Sequence, residues 1–67
     1  MLSARNQLKG TIKSVKLGTV MAEVVLTVGN VEVVSVITRE SVEHMKLKAG
    51  DAAAAVIKAT AVMILKD

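Results

Sequence analysis

Three short polar segments interrupt an otherwise aliphatic chain and contain side chains suited to binding a small anion. They are SARNQ at residues 3–7, ITRES at residues 37–41 and IKAT at residues 57–60. Hydroxyl, amide, guanidinium and ammonium donors are carried by Ser3, Arg5, Asn6, Thr38, Arg39, Ser41, Lys58 and Thr60. A tetrahedral oxyanion presents acceptors in all directions, so many neutral donors with one or two positive charges suit it. The three segments therefore indicate an oxyanion site.

Each of these segments also has a purely structural explanation. Thr38 and Ser41 have the spacing of a helix N-cap and its first turn. Lys58 fits a solvated lysine on a strand, and a polar cluster near a chain end is commonly just hydrated. Spacing in the sequence does not by itself show that the three segments converge.

The chain offers little support for catalysis or for a metal site. His44, its only histidine, lies between Glu43 and Met45 and is interpreted as a surface residue. The chain has no cysteine, so both a disulfide framework and a zinc site are unavailable. Glu23 and Glu32 are expected to form interface salt bridges rather than a catalytic pair. We therefore predict a protein that is not an enzyme.

Composition constrains the partners. The chain has 67 residues, 52% of them hydrophobic and none aromatic, with a net charge of +3. So short a chain buries only about 60% of its unfolded surface, and this much aliphatic surface predicts an obligate homo-oligomer. The absence of stacking residues argues against single-stranded nucleic acid as the partner. No apolar run has the length of a membrane span or a secretory signal, which predicts a cytoplasmic protein without a membrane partner.

A valine-rich hairpin is the clearest element of the sequence. The Gly29-Asn30 turn signal predicts strands from Met21 to Val28 and from Val31 to Ile37, with Val28 opposite Val31. One face of this hairpin is predicted to form the core: Ala22, Val24, Leu26 and Val28 with Val31, Val33, Ser35 and Ile37. The other face is too apolar for solvent and too charged for a second core: Met21, Glu23, Val25 and Thr27 with Glu32, Val34, Val36 and Thr38. A contact between subunits would explain this second face.

The remaining segments complete a small barrel. NQLKGTIKSVKLG predicts an earlier strand with a bulge or bend near Ser14. After Thr38 we predict a short helix that turns Val42, Met45 and Leu47 inward and ends at Gly50. The alanine- and valine-rich stretch at residues 51–65 is predicted to contain one or two strands. The predicted fold is mainly β: an OB-like, partly open five-stranded barrel with one short helix.

The segments SARNQLKGTI, AEV at residues 22–24, ITRES and VIKATAVMI together resemble the molbindins, or Mop family, of small molybdate-binding proteins. The resemblance covers essentially the whole chain and implies one Mop- or TOBE-type domain over residues 1–67. It implies a barrel whose protomers exchange strands and assemble as a trimer of dimers, a homohexamer. Molybdate, and tungstate nearly as well, would bind between subunits. The implied role is storage and homeostasis of molybdate for molybdenum cofactor synthesis, although older naming calls these proteins molybdopterin-binding.

The resemblance also implies which residues contact the anion. They are Ser3, Ala4, Arg5, Asn6, Thr38, Ser41, Lys58, Ala59 and Thr60. Thr60 stands where some relatives have serine, Ala61 follows where an acidic residue is common, and Arg39 occupies a variable position. No organic cofactor is expected. Other functions remain open at this point: an OB-type nucleic-acid binder using Lys9, Lys13 and Lys16, a structural assembly module, or a carrier of the pterin cofactor.

Overall fold

The computed structural model describes residues 6–66. Its elements, in chain order, are β1 (Asn6–Leu17), β2 (Met21–Val28), β3 (Val31–Thr38), the helix α1 (Arg39–Met45), β4 (Ala52–Ile57) and a single 3₁₀ turn (Ala59–Ala61). The strands form one antiparallel sheet in the order β3-β2-β1-β4. The mainly β fold with one short helix is confirmed.

The β2–β3 hairpin has the predicted register. Val28 pairs with Val31 and Met21 with Thr38, so β3 runs one residue further than the sequence predicted. Gly29 makes the turn with φ of 60°, a conformation that favours glycine. Because strand side chains alternate between faces, this register directs Ala22, Val24 and Leu26 into the core and the other set of residues outward. Val31, which was predicted to lie in the core, is 57% exposed, because it follows the turn at the end of the edge strand β3.

Strand β1 connects the two halves of the sheet. Residues Asn6–Thr11 pair with β4, whereas Thr11–Leu17 pair with β2. The β1–β2 register shifts between Ile12 and Ser14, which confirms the predicted bulge. At Gly10 the strands approach so closely that a Cβ atom would lie 2.2 Å from the carbonyl oxygen of Thr27. Glycine is therefore required where β1 passes from one neighbour to the other.

The core is small and covers one side of the sheet. Its fully buried residues, within the described range, are Ile12, Ala22, Val24, Leu26 and Val42. Val42 is the buried residue of α1, and it fixes the helix against the inner face of the sheet. Leu47 packs against the same cluster, but Met45, which was predicted to point inward, is 57% exposed.

The helix begins where it was predicted to begin and ends earlier than expected. Thr38 caps its start, as its sequence position indicated. Its end is at Lys46 rather than Gly50, because Lys46 adopts the left-handed conformation with φ of 55° and its N–H binds the carbonyl oxygen of Glu43 at 3.2 Å. Gly50 instead belongs to the following turn, where its N–H donates to Ile12 O at 2.8 Å.

Among residues 6–66 there are four strands, not the predicted five. The chain leaves the sheet at the Ala59–Ala61 turn, and residues 62–66 form no regular structure. A strand needs a neighbour for its backbone hydrogen bonds, and this segment has none within the described part of the chain. Met63, Ile64 and Leu65 are each about nine-tenths exposed there. Exchange of strands between protomers stays a prediction.

A shallow apolar groove separates the two edge strands. Side chains of both β3 and β4 border it, among them Val33, Ile37, Ala53 and Ala55, and its volume is about 480 Å³. The four-stranded sheet is thus curved and stays open between its edge strands β3 and β4. Across residues 6–66, no helix has the length and apolar character needed to cross a membrane.

Candidate oxyanion site

Thr38 and Ser41 form the first cluster of predicted donors, here called the helix half-site. Thr38 Oγ1 accepts a hydrogen bond from the Ser41 backbone N–H at 3.1 Å. The same hydroxyl donates to Ser41 Oγ at 2.7 Å. Because the Thr38 proton is used in this bond, the hydroxyl proton of Ser41 is left to donate elsewhere. Thr38 is exposed and Ser41 half-buried, so an anion could approach this donor.

Arg39 holds the neighbouring loop against the helix half-site. Its backbone N–H donates to Val20 O at 2.8 Å, and its guanidinium Nη1 donates to Gly18 O at 3.2 Å. Its Nε also lies 3.4 Å from a carboxylate oxygen of Glu43, one helical turn further on. Arg39 therefore contributes positive charge close to Thr38 while its side chain is engaged with the β1–β2 loop.

The second cluster, here called the strand half-site, consists of Asn6, Lys58, Ala59 and Thr60. Asn6 pairs with Ile57 across the β1–β4 ladder, which places it beside the residue that precedes Lys58. Lys58 is extended and starts the 3₁₀ turn, in which Ala61 N–H donates to Lys58 O at 2.9 Å. The first N–H groups of such a turn have no acceptor within it and are free to bind an anion. All four residues are exposed.

Three of the predicted site residues fall outside the range that the structure covers. Ser3, Ala4 and Arg5 precede residue 6, the first described residue. In the sequence they directly precede Asn6, which is the member of the strand half-site on β1. Their part in the site remains a prediction.

The two half-sites lie at opposite ends of the sheet. Thr38 is opposite Met21, close to the Leu17 end of β1, whereas Asn6 begins β1. A strand rises about 3.3 Å per residue, so the length of β1 separates the half-sites by on the order of 30 Å. Donors to one anion must lie about 3 Å from its oxygens. The fold therefore brings Thr38 to Ser41, and it places Asn6 opposite Ile57, the residue before Lys58, but it does not join these two groups into one site within one chain.

Other features of the described residues offer no competing chemistry. The groove between β3 and β4 has Ser35 as the polar residue of an otherwise aliphatic lining. His44 is exposed, as interpreted from the sequence. No group of three or more histidine, cysteine, aspartate or glutamate side chains is arranged to hold a metal ion within residues 6–66. The groove was missed by sequence reasoning, and the run of small residues at 52–55 is the signal that could have indicated it.

Comparisons with known proteins point in the same direction. Residues 2–64 match the TOBE domain family. Over 96% of both chains, the sequence is 52% identical to molybdenum-pterin-binding protein 3 of Clostridium pasteurianum. The structure superimposes on a molybdate-binding protein from Sporomusa ovata with a TM-score of 0.95, at 41% identity and 98% coverage of both chains.

A third similar structure is that of ModG, described as a cytoplasmic molybdate-binding protein and solved with molybdate bound. The TM-score is 0.83 and the identity 48%, over 88% of this chain and 43% of that one. The names of all three similar proteins describe binding rather than a reaction.

Proposed function

The chain belongs to the TOBE domain family and, within it, to the small molybdenum-pterin-binding (Mop) proteins, and we propose on this basis that it binds molybdate without catalysing a reaction. The observation that carries the proposal is the occurrence of hydroxyl, amide and backbone donors in two groups, one at the start of α1 with the half-buried Ser41 and one beside the exposed ammonium group of Lys58. Such a donor set suits a tetrahedral oxyanion. Relatives and structural neighbours at 41–52% identity are named for binding molybdate or a molybdenum pterin.

We propose that each half-site is completed by residues of a neighbouring copy in a homohexamer, arranged as a trimer of dimers with exchanged strands. The separation of the half-sites by on the order of 30 Å supports this. At that distance the two half-sites of one chain cannot bind the same anion, and neither of them encloses an anion by itself. The nine-tenths exposure of Met63, Ile64 and Leu65 is a second support, since such residues require cover. Ser3, Ala4 and Arg5 would join Asn6 in the strand half-site.

The proposed cellular role is storage and homeostasis of molybdate in the cytoplasm, with residues 1–67 acting as one domain. Tungstate, with the same charge and shape, would bind nearly as well. Sulfate has that charge and shape too but is smaller, so we expect a site sized for molybdate to hold it weakly. The description of ModG as cytoplasmic supports the location.

A pterin carrier is the second candidate, because the Clostridium relative is named for a molybdenum pterin. A pterin is a flat heterocycle that carries many hydrogen-bonding groups. The groove that could hold one offers Ser35 as its polar contact, and the chain has no aromatic side chain to stack on the ring. The donor clusters therefore favour the inorganic anion.

Calorimetric titration of the purified full chain tests the proposal. The titrants are molybdate, tungstate, sulfate and a pterin, each in buffer free of other oxyanions. Saturable heat with molybdate and tungstate and little with sulfate is expected. A folded oligomer that gives no heat with molybdate overturns the proposal, and heat with the pterin alone favours the carrier.

A further inference from the structure

Two acidic side chains lie close to the helix half-site, where they oppose the binding of an anion. Glu40 and Glu43 belong to α1, the helix that begins directly after Thr38. A depression of about 540 Å³ is bordered by both of these residues and by Thr38. Because the Coulomb energy scales with the product of the charges, a dianion is repelled twice as strongly as a monovalent anion. A molybdate site at Thr38 and Ser41 therefore requires a positive charge that offsets the two carboxylates.

Arg39 supplies a positive charge at the same depression. Its Nη1 donates to the carbonyl oxygen of Gly18 at 3.2 Å, a bond that holds the guanidinium beside the β1–β2 loop. Its Nε donates to a carboxylate oxygen of Glu43 at 3.4 Å, and the two side chains are 43% and 60% exposed. A guanidinium has five N–H groups, so Arg39 can make both of these bonds and still donate to an anion.

We infer that Arg39 sets the affinity of the helix half-site for a dianion, and that Glu43 lowers this affinity by competing for the guanidinium. The inference rests on the molybdate binding proposed above and adds two residues to that site. Thr38 and Ser41 are neutral donors, so within one chain the positive side-chain charge at this half-site comes from Arg39. When an anion binds, it shares the guanidinium with the Glu43 carboxylate, and the ion pair therefore opposes binding.

A purely structural role for Arg39 predicts a different response to substitution. Its bonds to Gly18 and Val20 tie the β1–β2 loop to the start of α1, and the ion pair with Glu43 would then only hold the side chain in place. An exposed ion pair of residues four apart in a helix contributes little to stability. Removal of the Glu43 charge would in that case leave the affinity for molybdate unchanged or lower it, whereas the electrostatic role predicts a higher affinity. The sign of this change separates the two roles.

Calorimetric titration with molybdate of the full chain, Arg39→Gln and Glu43→Gln tests the inference. The matched controls are Lys48→Gln and Asp51→Asn, because Lys48 and Asp51 form an ion pair at 3.5 Å in the segment between α1 and β4. Each control changes the net charge by the same amount as its counterpart.

We expect Arg39→Gln to weaken binding by about fivefold or more and Glu43→Gln to strengthen it by about threefold, with both controls within about twofold of the original chain. Both differences should shrink at high sodium chloride concentration, because salt screens exposed charges. Circular dichroism verifies that each protein is folded. If Arg39→Gln does not fold, Glu43→Gln decides the inference, because it alters a side chain that is 60% exposed.

The outcomes separate the inference from the proposed function. If the original chain binds molybdate but Glu43→Gln binds it no more tightly than Asp51→Asn, the inference is overturned and molybdate binding stands. The same holds if Arg39→Gln binds as tightly as Lys48→Gln, or if the differences persist unchanged at high salt. A folded original chain that gives no heat with molybdate overturns the proposed function and the inference together.

Discussion

Replacement of Thr38 by valine is expected to lower the affinity for molybdate far more than it lowers stability. Valine has the shape of threonine, so the change removes Oγ1 and leaves the packing in place. The loss of the cap on the Ser41 backbone N–H, a bond of 3.1 Å, destabilises the helix. N-cap losses cost about 0.5–2 kcal/mol. Because Thr38 is exposed and water can replace its bond, we expect about 1 kcal/mol or less.

The effect on binding follows from the second bond of Thr38. Its hydroxyl donates to Ser41 Oγ at 2.7 Å, which leaves the Ser41 proton for the anion. Valine at this position removes one hydroxyl and the group that orients the other. A hydrogen bond to a charged group contributes about 1.5–3 kcal/mol. We therefore expect Thr38→Val to weaken molybdate binding by about tenfold to a hundredfold.

Urea unfolding and calorimetric titration with molybdate measure the two effects separately. Thr38→Ser is the matched control, because serine retains both hydrogen bonds. Ser41→Ala complements it, since alanine keeps the backbone N–H that the cap binds and removes the hydroxyl that would reach the anion. The reasoning is refuted if Thr38→Val binds molybdate as tightly as Thr38→Ser.

Three further substitutions test the strand half-site and the fold. Lys58→Ala is expected to weaken molybdate binding by about tenfold or more, because it removes a charged donor. Calorimetric titration measures the affinity, with Lys66→Ala as the control, and equal affinity of the two variants would contradict the role of Lys58. Gly10→Ala is expected to destabilise the chain by about 2 kcal/mol or more, because the new Cβ atom would lie 2.2 Å from the carbonyl oxygen of Thr27. Thermal unfolding measures this, and an unchanged midpoint would contradict the close approach of the two strands. Val42→Ala removes two methyl groups from a side chain that is 4% exposed, and urea unfolding should show that the free energy of unfolding falls by about 2 kcal/mol. A decrease of less than about 0.5 kcal/mol would contradict the place of Val42 in the core.

Local signals in the sequence predicted the hairpin, the bulge and the helix start. The Gly29-Asn30 turn fixed the register, and the alternation of Ala22, Val24 and Leu26 decided which face is buried. A shift by one residue would have turned all of these side chains to the solvent. The Thr38 cap was equally predictable, because its bonding partner Ser41 lies three residues away.

Features that depend on rare backbone conformations or distant partners could not be predicted in this way. The helix ends at Lys46, in a left-handed conformation that lysine seldom adopts. The sequence therefore favoured Gly50 as the end of the helix, and this prediction was wrong. The fifth strand needs a neighbour that residues 62–66 do not find within the described chain. Convergence of the half-sites depends on the placement of other copies, which the sequence of one chain does not determine.

The ladder between β1 and β4 has a consequence for the order in which the protein folds. The β2–β3 hairpin joins neighbouring segments, whereas Asn6 and Ile57 come from opposite ends of the chain. Closing the longer loop costs more chain entropy, and contacts between distant residues form more slowly. Thr38, the last residue of this hairpin, can therefore reach its place early in folding. Asn6 and Ile57 pair only when the last strand docks, so we expect the strand half-site to form late in folding, shortly before a neighbouring copy could complete it.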